Sequence, residues 1–206
     1  LIAIGGGFSA AGDNERARIE LTRAHESLLR SEGEGHPHVA DAIHNLGNVE
    51  AREGNLAEAA DLHRRALAIR ERALPPEHLA IAESLLALGG VLGNGGDVVA
   101  ARTHTERALA ILEAALGPDH PRLVDPLLNL GISAAMEGQP RQALTYTERA
   151  CELLEDLPGE ERPRHASCLD NLGDAYHALG RNEESLVAYR SALAIHERTG
   201  GPEHPK

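Results

Sequence analysis

One short pattern returns along this chain at a fixed step. Asn45-Leu46-Gly47 recurs as Ala87-Leu88-Gly89, Asn129-Leu130-Gly131 and Asn171-Leu172-Gly173, each 42 residues after the last, with no insertion or deletion. Other landmarks keep the step. His36-Pro37, His78-Leu79, His120-Pro121, Arg162-Pro163 and His204-Pro205 open successive units, and Gly54, Gly96, Gly138 and Gly180 mark their midpoints. Arg65-Ala66-Leu67, Arg107-Ala108-Leu109, Arg149-Ala150-Cys151 and Ser191-Ala192-Leu193 mark their second halves. A period of this length belongs to a unit that cannot cover its own apolar face and buries it by stacking on the next copy.

Within a unit, the first half runs from a proline suited to the first turn of a helix to a glycine able to end one. This predicts a helix A over about Pro37 to Glu53, with Ile43, Leu46, Gly47 and Glu50 spaced at 3.6 residues so that one stripe faces the stack. Glycine at the 47-type position lets a neighbouring helix come close. After a polar turn at Gly54-Asn55, a helix B is expected from about Leu56 to Ala73, with Ala59, Ala66, Leu67 and Ile69 inward; Pro75-Pro76 stops it. Two units carry helix breakers. The run from Gly89 to Gly96 predicts a poorly helical, flexible helix A in the second unit, since each Gly costs up to about 1 kcal/mol against Ala. Pro126 lies near the start of helix A of the third and is placed to bend it.

The Leu-Gly pair, the mid-unit Gly, and then Glu-Ala and Arg-Ala-Leu resemble the tetratricopeptide repeat (TPR). The 42-residue length and the His-Pro linker resemble its kinesin-light-chain-like variety, over essentially the whole chain. The resemblance implies an all-α, right-handed α-solenoid of antiparallel helix-turn-helix repeats. A partial unit spans 1–35, full units span 36–77, 78–119, 120–161 and 162–203, and another opens at 204–206. The family's usual rings are missing at Glu50 and His63, while Phe8, Tyr176 and Tyr189 keep them. Counting back by 42, Gly47 and Gly54 land on Gly5 and Gly12, and Ala59 and Ala66 on Ala17 and Ala24. Leu1, Ile4, Gly5 and Phe8 then take core positions of a half-lost helix A. The chain is expected to be a piece of a longer array whose uncapped ends pair with one another.

Composition excludes several functions. A formal charge of −12 repels phosphate backbones, and the four aromatics, Phe8, Tyr146, Tyr176 and Tyr189, are too few for a stacking platform, so no nucleic acid is expected. No apolar run approaches the roughly 20 residues that span a bilayer, and no secretory leader opens the chain. We expect no membrane partner and a cytoplasmic setting. Cys151 and Cys168 are too few for a disulfide framework and lack zinc-site spacing, so they are read as small core residues.

Patterns that would carry catalysis are missing. His36, His78, His120 and His204 recur once per unit and lie on successive linkers as turn residues, too far apart to share an ion. His36-x-His38 is the only close pair without a linker role for both, and no metal site is expected. The Gly89–Gly96 run has no Gly-Lys-Ser/Thr and falls inside helix A, against a phosphate loop. Serines are scattered without a nucleophile elbow, and neither cysteine adjoins a His and Asn set in sequence. We therefore expect no enzyme and no cofactor.

What remains is the face of helix A opposite its core stripe. At 100° per residue, Asp41, His44, Asn45, Asn48 and Arg52 centre on it. The same register gives Glu83, Leu86 and Asn94 in the second unit, and Asp125, Leu128, Asn129, Ile132 and Met136 in the third. The fourth supplies Ser167, Asp170, Asn171, Asp174 and His177. By resemblance this is the concave ligand surface of a TPR stack, and Asn45, Asn48, Asn129 and Asn171 stand where the family's peptide-clamping asparagines do. The cations of that clamp are absent. Arg52 alone is basic against Asp41, Glu83, Asp125, Asp170 and Asp174, so the groove is expected to prefer a basic or polar peptide or protein segment. Two bland alternatives stay open: Asp41, Glu83 and Asp125 lie in first turns, where an acid favours the helix dipole, and Asn45, Asn129 and Asn171 equally suit helix-to-helix hydrogen bonding. The function expected is an interaction scaffold, by resemblance the repeat region of a larger bacterial signalling protein. The alternative is a sensing module that controls an attached kinase, NTPase or DNA-binding domain.

Overall fold

Nine α-helices and no strand make up the described residues, 14–155 and 162–199, of this computed structural model. They are α1 (Asn14–Glu32), α2 (Pro37–Arg52), α3 (Leu56–Ala73), α4 (Leu79–Asn94), α5 (Val98–Leu116), α6 (Val124–Met136), α7 (Pro140–Glu155), α8 (Arg162–Ala178) and α9 (Asn182–Thr199). The core positions expected at Leu1, Ile4, Gly5 and Phe8, and the opening at His204-Pro205, lie outside the described residues. The chain divides into two compact units, Leu1–Ala115 and Leu116–Lys206. In the first, α1 packs on α2, α2 on α3 and α3 on α4; in the second, α6 packs on α7, α7 on α8 and α8 on α9.

Local chemistry sets the helix ends. His36, His78 and His120 are N-caps in extended conformation, and each ring Nδ1 accepts the backbone N–H two residues on: His38 at 3.2 Å, Ala80 at 3.1 Å and Arg122 at 3.1 Å. This use of one lone pair to satisfy a first-turn donor accounts for the recurring histidine. Helices A end on Gly54, Gly96, Gly138 and Gly180 at φ of 82°, 89°, 70° and 73°, a left-handed conformation that side chains disfavour.

Helix A and helix B touch at one repeated place. A β-carbon on Gly47 would lie 2.8 Å from the His63 ring; on Gly89, 2.9 Å from Thr105 Oγ1 and 3.1 Å from the Ala101 carbonyl; on Gly131, 2.6 Å from Thr147 Oγ1; and on Gly173, 2.6 Å from the Tyr189 ring. The expected close approach is thus present in each hairpin, always against the residue sixteen positions later. Around it the stripes bury. Val39, Ala40, Ile43, Ala66 and Ile69 form one cluster with Leu28, Leu29 and Leu62 against it, and Ala134, Ala143, Leu144 and Ala175 form another with Leu172, Tyr176 and Leu179. Glu50, on the core stripe where the family places a ring, is buried too. Arg18 Nε of α1 donates to its carboxylate at 2.7 Å and Asn55 Nδ2 at 2.8 Å, and the Arg18 bond holds its pKa below the usual range.

Three expectations change. Helix α4 runs unbroken through Gly89, Gly90 and Gly93, because packing of its buried face outweighs local propensity. Pro126 lies near the helix start, as expected, but the α-helix begins later in its unit than α2 and α4 do. A 3-10 turn over Pro121–Leu123 precedes α6, leaving Pro126 in the first turn, where its missing N–H costs no intrahelical bond. Cys151 and Cys168 are buried, as expected of core residues, but they are joined in a disulfide between α7 and α8, with Cα atoms 5.7 Å apart. Their separation of 17 residues is also the step from a buried position of helix B to one of the following helix A, as Leu67 and Ser84 occupy in the first unit.

Two predictions follow from this packing. In chemical denaturation, Gly89→Ala should cost about 1–3 kcal/mol by pressing on Thr105 and the α5 backbone. Its neighbour Gly90, with nothing within 4 Å of a built β-carbon, should gain up to about 1 kcal/mol as Ala; equal effects at both sites would contradict the close approach. Thiol titration of the denatured, unreduced protein should find neither cysteine reactive, and reduction should lower stability by about 3 kcal/mol for a loop of this size.

Candidate protein-interaction groove

In the second unit, helices α6, α7 and α8 enclose a cleft of about 410 Å³. Its floor is made of small side chains, Gly131 and Ala135 from α6, Ala143 and Thr147 from α7, and Ala175 and Ala178 from α8. The hollow follows from those residue types: Thr147 stands at the register that Tyr189 fills one hairpin later. Ile132 and Met136 form an apolar lip, 44% and 66% exposed, and Asn171 and Asp174 form a polar one. Four residues expected from the sequence are therefore brought to one cleft.

The other expected residues are placed as follows. Asn129 and His177 are exposed and Leu128 is half-buried, none of them lining this cleft. Ser167 donates to its own helix at the Pro163 carbonyl, 3.1 Å away. In the first unit, Leu86 and Asn48 are half-buried while Glu83, Asn94 and Arg52 are exposed, with Arg52 Nε donating to Asn14 at 3.3 Å. Asn45 Nδ2 donates to the Asp41 carbonyl at 2.9 Å, within its own helix. His44 turns toward helix B, its ring centroid 5.1 Å from that of buried His63.

The acids have partners that helix A alone did not reveal. Asp41 accepts from Arg70 at 2.7 Å; that arginine, only 4% exposed, also donates to Ser84 Oγ at 2.8 Å and the Ala80 carbonyl at 2.7 Å. Asp125 pairs with Arg164, and Asp170 lies 3.2 Å from His196 Nε2. Asp174 accepts from the Tyr189 hydroxyl at 2.5 Å, which raises the pKa of that hydroxyl. Arg52 is thus not alone: Arg70 and Arg164 offset two of the five acids. Arg70, Thr147 and Tyr189 lie on helices B, and Arg164 pairs with an acid of a different helix A, so no one-helix projection finds these pairings, although the register of Thr147 and Tyr189 was readable from the repeat.

Family models described as tetratricopeptide repeat match residues 80–156, and 39–80 together with 165–206. The chain belongs to the tetratricopeptide-repeat family. Among solved TPR structures it is similar to that of a Podosopora anserina kinesin light chain protein with nearly identical TPR-like repeats, at 22% identity, covering 97% of this chain and 95% of that one with a TM-score of 0.79. It is also similar to BtubC (BKLC) from P. vanneervenii, at 22% identity, 100% and 82% coverage and a TM-score of 0.83. A third is YrrB, a TPR protein with an unusual peptide-binding site, at 23% identity, 98% and 86% coverage and a TM-score of 0.65. At these identities the likeness is one of fold. No curated protein matches the sequence. Among the described residues, no helix of this TPR chain is long and apolar enough to cross a membrane.

The His44 and His63 pair puts two titratable rings inside the first unit. Burial, with Arg70 nearby, pushes His44 down to about 3 and His63 down to about 4. The unfolded chain protonates each near 6.5, so it binds more protons than the fold below that pH. Stability is therefore full above about 6.5 and is lost as pH falls through 4 toward 3. Urea midpoints of the TPR chain should fall across this window. They should fall less for His63→Thr, which carries the residue of Thr105 and Thr147; parallel curves for the two proteins would contradict this.

Proposed function

We propose that the chain is an interaction scaffold that holds an extended peptide or protein segment along helices A, with the α6–α7–α8 cleft as its anchor. One observation carries this: a hollow with a small-residue floor, two large exposed apolar side chains on one lip, and Asp174 and Asn171 on the other. Exposed Ile132 and Met136 have burial to gain from a partner, while Asn171 can donate and accept on an extended backbone. Asp174 favours a cation, which suits a basic or polar segment with an apolar residue beside it. In the first unit, taken by itself, Asp41, Asn45 and Asn48 of α2 are proposed for the same role. TPR folds serve interaction, and a peptide-binding TPR protein is among the similar structures. The reading extends, on family likeness alone, to the repeat region of a larger bacterial signalling protein, and on composition alone to a cytoplasmic setting.

A displayed random-peptide library selected on the immobilised protein tests it. Enriched peptides should pair an apolar residue with Lys or Arg and outcompete acidic ones. Ile132→Asp with Met136→Asp should weaken them at least about tenfold, and Asp174→Asn by up to about fivefold, the range of one exposed ion pair. Selected peptides that bind all variants alike would overturn the assignment.

End-to-end self-association belongs to the same reading. On α9, Leu186 and Leu193 are 49% and 57% exposed, whereas Leu144 and Cys151, at the same registers of α7, are 8% and 5% exposed beneath α8. Mass by light scattering should rise with concentration, and less so in Leu193→Glu; a constant monomer mass up to millimolar protein would contradict it.

A further inference from the structure

The linker before α2 gathers side chains that no other described linker has. Glu32, His36 and His38 each bring one ligand atom within 4.8 Å of the others. At the registers of Glu32 and His38, the second linker carries Leu74 and Ala80 and the third carries Leu116 and Arg122. His36 is accounted for by capping; Glu32 and His38 are departures from the repeat and serve no cap.

Their geometry sets two partners on one nitrogen. Glu32 Oε2 lies 2.5 Å from His36 Nδ1 and 3.0 Å from His38 Nδ1, with the two ring centroids 4.7 Å apart. The Nδ1 atom that accepts the His38 amide at 3.2 Å cannot also carry the proton that a hydrogen bond to a carboxylate oxygen at 2.5 Å needs, so the cap and Glu32 compete for one atom. A cation with several coordination positions uses the carboxylate and both imidazoles at once, taking the His36 lone pair over from the amide.

The geometry points to a surface site for a divalent transition metal, held by Glu32, His36 Nδ1 and His38 Nδ1. Two imidazole nitrogens and one carboxylate oxygen suit zinc, copper or nickel, not the oxygen-only shells of calcium and magnesium. Tetrahedral zinc with bonds of about 2.0–2.2 Å spaces its ligand atoms roughly 3.3–3.5 Å apart. All three side chains are part-exposed, and Glu32 reaches that spacing from both rings by opening less than about 1 Å. Three protein ligands leave a fourth position for water.

Calorimetric titration of the whole chain with zinc chloride, with Co²⁺ visible absorption as a second readout, tests the site. We expect one ion per chain at micromolar affinity, and a cobalt spectrum of low coordination number. His38→Ala carries the residue that Ala80 holds in the next linker, where the histidine cap is intact, so the helix start is kept. That variant, and separately Glu32→Gln, should weaken binding at least about tenfold, while His165→Ala leaves it unchanged. Variants that titrate like the parent, or a parent that takes up no zinc at submillimolar concentration, would overturn the assignment. Peptide capture by the α6–α7–α8 cleft is read separately and does not depend on this result.

Discussion

Each hairpin is fixed by a backbone-close contact between a glycine of helix A and one side chain of helix B. The glycine has no β-carbon, so the two helices meet where any other residue would collide, and the partner side chain sets how they sit. His63, Thr105, Thr147 and Tyr189 take that place in turn against Gly47, Gly89, Gly131 and Gly173. What varies along the chain is therefore the filling of one socket. A ring fills it at Tyr189; a hydroxyl at Thr147 leaves a hollow beside it that serves as the cleft.

The same contact explains why charged and polar groups are found inside. His63 brings an imidazole into a buried socket, His44 lies against it, and Arg70 is buried nearby with Asp41 and Ser84 as partners. A buried guanidinium needs its hydrogen bonds met, and the part-exposed Asp41 carboxylate meets one of them at 2.7 Å. One carboxylate at the surface thus serves the interior of the first unit.

Much of this was legible in the sequence because it is local or periodic. Helix A read as Pro37 to Glu53 is observed as Pro37–Arg52, and helix B read as Leu56 to Ala73 is observed with those ends. Glycine caps and the close glycines follow from the step of 42. What escaped depends on side chains far apart in sequence. The Cys151–Cys168 bond joins neighbouring hairpins, Asp125 reaches Arg164, and the cleft takes Pro140, Ala143 and Thr147 from helix B. A helical projection orders residues around one axis and carries no information about a second. The glycine run of α4 was misjudged for a related reason: propensity weighs each residue alone, whereas Gly89 is held by the helix packed on it.

A stack whose members touch only their neighbours ordinarily loosens one member at a time from its edge, because the outermost hairpin has half the contacts of an inner one. The covalent tie between α7 and α8 adds a bond that packing alone does not supply at this one junction between neighbouring hairpins. Under oxidising conditions α8 cannot part from α7, so the two hairpins loosen at that junction only together. The α8 wall of the cleft is thereby kept in register with its α6 and α7 walls even when the packing around it breathes.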